Sequence, residues 1–129
     1  MESKTTIWAG RILSTLPILL LLFSAAIKLY GGPMLAEGFA HLGLSPGLAI
    51  PLAILEITCT LIYLLPRTAV LGAILLTGYM GGAILTHLRV GDPFYMNILV
   101  GVFLWGGLYL REPRLRELIP IRTRSIKLI

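Results

Sequence analysis

Between Pro46 and Pro66 the only charged residue is Glu56. A carboxylate near the middle of an apolar stretch long enough to cross a bilayer costs at least ~2.5 kcal/mol, so it must be protonated, hydrated or paired. The candidate partners are Lys28 and Arg89, each near the end of another apolar stretch. Helical rise places them ~10 Å above Glu56, a gap that long side chains span. Thr60 and Tyr63 fall on the same helical face as Glu56 and extend it into a polar track. A second concentration of polar groups closes the third apolar stretch, Thr86-His87-Leu88-Arg89-Val90-Gly91-Asp92-Pro93, with Tyr30, Glu37 and His41 expected nearby. The candidate ligand-binding set is therefore Lys28, Glu56, Tyr63, His87, Arg89 and Asp92. Three chemistries suit it: a buried ion pair that fixes helix order, a ligand or redox-partner pocket, and a proton or substrate pathway.

Other chemistries lack their residues. Cys59 is the only cysteine, so paired-thiol exchange within this chain is excluded, and it reads as a small packing residue. His41 and His87 carry no ligand spacing, and two histidines do not make a zinc site, so no metal or haem is expected. No Ser-His-Asp arrangement, carboxylate dyad or phosphate-binding glycine loop is present.

The elements that must position these groups follow from composition. The chain of 129 residues is 57% hydrophobic and 13% charged. Soluble domains carry roughly 25% charged residues, so this chain cannot coat a water-facing surface. Four apolar stretches, about 12–30, 46–65, 68–88 and 94–110, approach the ~20 residues a crossing helix needs. Lys4 and Arg11 precede the first of these and the small residues Ser24-Ala25-Ala26 lie within it, as in a secretory leader, but the length of the stretch favours a first membrane helix. Gly31-Gly32-Pro33 ends that helix, 34–42 reads as a short helix at the outer interface, and Ser45-Pro46 opens the next span. Asp92 is placed to cap the fourth helix, and Gly78-x-x-x-Gly82 reads as a close packing face.

Short connections make neighbouring spans antiparallel. The expected fold is all-α, an antiparallel four-transmembrane-helix bundle with both termini cytoplasmic. One side carries Lys4, Arg11, Arg67, Arg111, Arg114, Arg116, Arg122, Arg124 and Lys127, and the other only Lys28 and Arg89. Basic residues stay cytoplasmic. Residues 1–112 form the membrane domain, and 113–129 a basic juxtamembrane tail suited to anionic headgroups or to anchoring the topology. The net charge of +5 is thus a membrane-surface feature, and no nucleic-acid partner is expected.

The chain also resembles the DoxX-like family of small four-helix membrane proteins over roughly residues 10–112. The resemblance lies in Gly43-Leu44-Ser45-Pro46, Leu55-Glu56, Leu65-Pro66, Gly82-Ala83 and the segment from Thr86 to Pro93, with Lys28-Leu29 closing the first span. It implies a redox-associated membrane protein, since the family takes its name from a subunit of a thiosulfate:quinone oxidoreductase, and other members look like accessory or assembly factors. Glu56, His87, Arg89, Asp92 and Lys28 become the positions to test. The expected function is a quinone-linked accessory subunit in the plasma (inner) membrane, with a membrane quinone or lipid-like ligand. A membrane-protein partner or homo-oligomer is expected as well. The alternatives are a non-enzymatic scaffold or assembly factor and, less favoured, a small proton-coupled transporter. The last resembles four-span multidrug exporters, whose membrane glutamate lies in the first span rather than the second.

Overall fold

The structure is a computed structural model that describes residues 3–122. Among these it is all-helical. Helix α1 (Lys4–Tyr30) is followed by a short α2 (Pro33–His41). A 3₁₀ turn, Pro46–Leu48, runs into α3 (Ala49–Leu64), and another, Pro66–Thr68, into α4 (Ala69–Leu88). Helices α5 (Tyr95–Arg111) and α6 (Pro113–Leu118) complete the described chain.

Helix α1 starts eight residues earlier than the expected span at 12, because Ser3 caps it: its Oγ accepts the Thr6 N–H at 3.1 Å. At 27 residues it rises about 40 Å, more than the hydrocarbon core requires. Gly31 and Gly32, at φ 73° and 96°, reverse the chain in a region side chains disfavour, and Pro33 opens α2. Ser45 Oγ accepts the Gly47 N–H and starts the Pro46–Leu48 turn. Asp92 does not cap α5. The helix begins only after Phe94, beyond Pro93, so Asp92 is too distant from the first free N–H groups, and its carboxylate turns to His41 instead.

Helix α1 packs against α3 and α5, and α4 packs against the same two. Leu21, Tyr63, Leu76, Leu104 and Leu108 fill the space among them. The tightest approaches occur at glycines. A Cβ on Gly72 would lie 2.3 Å from the Tyr63 backbone nitrogen, and one on Gly107 would lie 2.8 Å from the Gly10 carbonyl oxygen. These contacts bring α4 onto α3 and α5 onto α1. The expected packing face Gly78-x-x-x-Gly82 is not one: a Cβ at either position meets nothing within 4 Å. Those glycines border an open cleft.

The outer surface is unlike that of a water-soluble protein, and a charged residue lies inside the apolar core. Glu56 is 1% exposed, whereas Phe23 is 67% exposed, and Leu19, Ile54, Leu61 and Ile74 also point outward. Ser14, Glu56 and Thr60 are buried among apolar residues, while large apolar side chains also cover the outside, as lipid allows. By length and composition three helices are suited to cross a membrane, Lys4–Tyr30, Pro46–Leu64 and Pro66–Leu88. Helix α5, at 17 residues, rises about 25 Å.

Past α5 the chain folds back. Leu115 of α6 is buried, and the Arg116 guanidinium donates to the carbonyls of Tyr109 and Leu110 at 3.2 and 3.1 Å, groups that a helix end leaves without intrahelical partners. The remainder of the basic tail, 123–129 with Arg124 and Lys127, lies outside the described residues.

Candidate functional site: an ion pair at the floor of an apolar cleft

Glu56 lies near the middle of α3, on the face turned toward α1 and α4. Opposite it, Ser24 and Lys28 stand one turn apart on α1, so their side chains share a face. Lys28 Nζ sits 3.0 Å from Glu56 Oε1 and also donates to Ser24 Oγ at 2.6 Å. The Ser24 hydroxyl approaches the same carboxylate oxygen at 3.5 Å, and the Tyr79 hydroxyl of α4 donates to it at 3.3 Å. Three helices therefore converge on one oxygen. The Lys28 side chain is only 15% exposed, so the pair is largely removed from solvent. Pairing in such surroundings roughly offsets the desolvation of two charges only when further hydrogen bonds join in, and Ser24 and Tyr79 provide them.

Above this floor opens a cleft of about 470 Å³. Its walls are apolar, among them Leu20, Leu52, Leu55 and Met96, and the bare backbone at Gly78 and Gly82 forms one side. Phe39, Leu42, Leu44 and Leu48, from α2 and the segment after it, also line it. Size, apolar walls and a few convergent polar groups are the usual properties of a small-molecule site. Among the described residues no three His, Cys, Asp or Glu side chains gather as metal ligands would.

The other residues singled out in the sequence are distributed around this centre. His87, in the last turn of α4, lines the cleft, and its Nδ1–H donates to the Ala83 carbonyl at 2.7 Å. Arg89 does not reach Glu56. It follows the last residue of α4, and its guanidinium instead donates to the Leu42 carbonyl at the end of α2. Asp92 Oδ1 lies 2.9 Å from His41 Nε2. Arg89 and Asp92 thus tie α2 to the α4–α5 connection.

Tyr63 belongs to a separate cluster toward the α6 end. Its hydroxyl donates to the Leu104 carbonyl at 2.6 Å and lies 3.0 Å from Ser14 Oγ, which also takes the Arg111 Nε–H at 3.1 Å. The Arg111 guanidinium stands 5.2 Å over the Tyr63 ring, close enough for a cation–π contact. This cluster joins α1, α3 and α5 and has no part in the cleft.

Sequence reasoning passed over Tyr79 and Asn97. Tyr79, Ala83 and Thr86 recur at i, i+4 and i+7 on α4, so one helical stripe carries a hydroxyl-tipped ring toward the cleft. That signal was available. Asn97 is the lone amide of α5 and also lines the cleft.

Helices apolar enough for several crossings, with their polar side chains turned inward around a buried ion pair, define a multi-pass helical membrane protein. Residues 12–107 match the family model described as the DoxX-like family, and the chain belongs to that family. It matches no curated protein and no solved structure.

Proposed function

We propose that all four long helices cross the plasma (inner) membrane as an antiparallel bundle with both ends cytoplasmic, and that the cleft above Glu56 binds a membrane quinone. The protein would then act as an accessory subunit beside a redox partner. The topology is supported by charge: Lys4 at the start of α1, Arg67 between α3 and α4, Arg111 at the end of α5, and Arg114 and Arg116 beyond it share one end, against Lys28 and Arg89 at the other. The observation that carries the ligand reading is the cleft itself. It is an apolar volume ending on a charged pair and a tyrosine hydroxyl, matched to a lipid-soluble molecule with a small polar head.

One observation favours the alternative, a non-enzymatic scaffold or assembly factor. Among the described residues no sealed side-chain nitrogen or oxygen lacks a hydrogen-bond partner, so no closed-off polar atom of the cluster requires a ligand. Gly82→Leu separates the two. A Cβ there meets nothing within 4 Å on a residue that lines the cleft, so the added side chain is expected to enter the cleft and spare the helix contacts. With the protein in nanodiscs and a short-chain benzoquinone titrated in both redox states, we expect saturable binding that Gly82→Leu weakens at least ~10-fold, the cost of about 1.4 kcal/mol in lost contacts. The melting temperature should stay unchanged. Absence of saturable binding to the unaltered protein would leave the scaffold reading, for which a stably copurifying membrane protein is the expected companion.

A further inference from the structure

We infer that the cleft selects a head group that donates hydrogen bonds, so that the reduced, hydroxyl-bearing quinol binds in preference to the quinone; this rests on the ligand reading above. Ser24, Lys28 and Tyr79 all direct their hydrogen bonds to Glu56 Oε1, and none goes to Oε2. Among the described residues that are not exposed, no side-chain oxygen is both sealed and unpartnered, so Oε2 keeps some accessible surface. The space beside Glu56 is the cleft, which this residue lines. A carboxylate otherwise closed off from solvent thus offers one acceptor oxygen to whatever enters.

The neighbouring polar groups have the same sense. The Tyr79 hydroxyl spends its proton on Glu56 and keeps lone pairs. Thr86 spends its proton on the Gly82 carbonyl. His87 spends its Nδ1–H on the Ala83 carbonyl. All three line the cleft. Against them stand the third N–H of Lys28 and the two-way amide of Asn97. The charged oxygen decides, because hydrogen bonds to a carboxylate are the strong ones. A hydroxyl satisfies Oε2. A quinone carbonyl placed there sets acceptor against acceptor and leaves the buried oxygen unpaired. An ammonium head is disfavoured for a different reason, since Lys28 already stands 3.0 Å from the carboxylate and would repel a second cation.

The test compares a short-chain benzoquinol with its benzoquinone, under anaerobic conditions, on the full chain in nanodiscs by titration calorimetry. We expect the quinol to bind at least ~10-fold more tightly, as a site built around a hydrogen bond rejects the analogue that lacks the donor. Glu56→Gln, whose amide presents either a donor or an acceptor, should narrow that ratio to within about 3-fold, the loss of a charged acceptor. The ratio on the unaltered protein decides the matter even where the variant folds poorly. Quinone binding as tightly as quinol, or more tightly, overturns the inference and leaves the cleft a quinone site. Binding of neither form overturns both.

Discussion

Gly72→Val will abolish accumulation of the folded protein, whereas Gly82→Val will leave it intact. Both glycines sit on α4, ten residues apart, and sequence alone does not rank them. At Gly72 a Cβ would lie 2.3, 2.4 and 2.7 Å from the nitrogen, Cα and Cβ of Tyr63. Two of those atoms are helix backbone, which cannot rotate aside, so α4 must back away from α3. Tyr63 is itself held by Ser14, Leu104 and Arg111, so the displacement spreads to α1 and α5. Overpacking a well-filled contact costs typically 1–3 kcal/mol, and a backbone clash of this depth belongs at about the upper limit or beyond. At Gly82 the same Cβ finds nothing within 4 Å, and the expected change is within about 0.5 kcal/mol. Thermal unfolding in detergent, read by fluorescence-detected size exclusion, measures both. Equal tolerance at the two sites would contradict the packing described for α3 and α4.

Lys28→Met should destabilise the protein by about 3–5 kcal/mol, and Lys28→Met/Glu56→Leu should recover most of the loss. Removing the ammonium leaves a carboxylate that is 1% exposed with only two hydroxyl donors, Ser24 and Tyr79, and an uncompensated buried charge is the costly outcome. Replacing both partners by apolar side chains removes the charge as well as its counter-charge, which in other buried pairs is neutral or stabilising. The double-mutant cycle, measured by reversible unfolding in mixed micelles, isolates the coupling. A single variant as stable as the parent would mean that Lys28 does not hold Glu56. If the double variant folds but loses ligand, the pair is retained for binding rather than for stability.

Much of the helical architecture was legible, because lipid makes simple demands. Apolar stretches of sufficient length become helices, and Gly31-Gly32-Pro33 and Leu65-Pro66 mark their ends. The shift of the α1 start to Lys4 reflects the Ser3 cap, a local feature masked by the polar residues around it. The surroundings of Glu56 were half legible. A mid-span carboxylate requires a cation within reach, and Lys28 on α1 is positioned for that, with Ser24 one turn below it. Arg89 satisfies the same requirement on paper, yet its position past the last residue of α4 places it beside the free carbonyl of Leu42, which captures it. The small-residue pattern misled for a related reason. Gly78-x-x-x-Gly82 states that a face is flat, not what lies against it, and here that is a cleft rather than a helix. Gly72 and Gly107, which do hold helices together, depend on crossing points that only the tertiary arrangement defines. Tyr63 shares a helical face with Glu56 but not a neighbourhood. The seven-residue interval carries it about 10 Å along α3, to the level of Ser14 and Arg111.

The account turns on the cleft being a place that a membrane ligand occupies above Glu56. Gly82→Cys, made with the buried native Cys59 replaced by Ala, puts a thiol on the cleft wall without disturbing a contact. Its rate of modification by a membrane-permeant maleimide, followed in nanodiscs with and without a saturating short-chain benzoquinol, is the most direct measurement. The account predicts ready labelling that the quinol slows several-fold. Labelling at the same rate whether or not the quinol is present would contradict it.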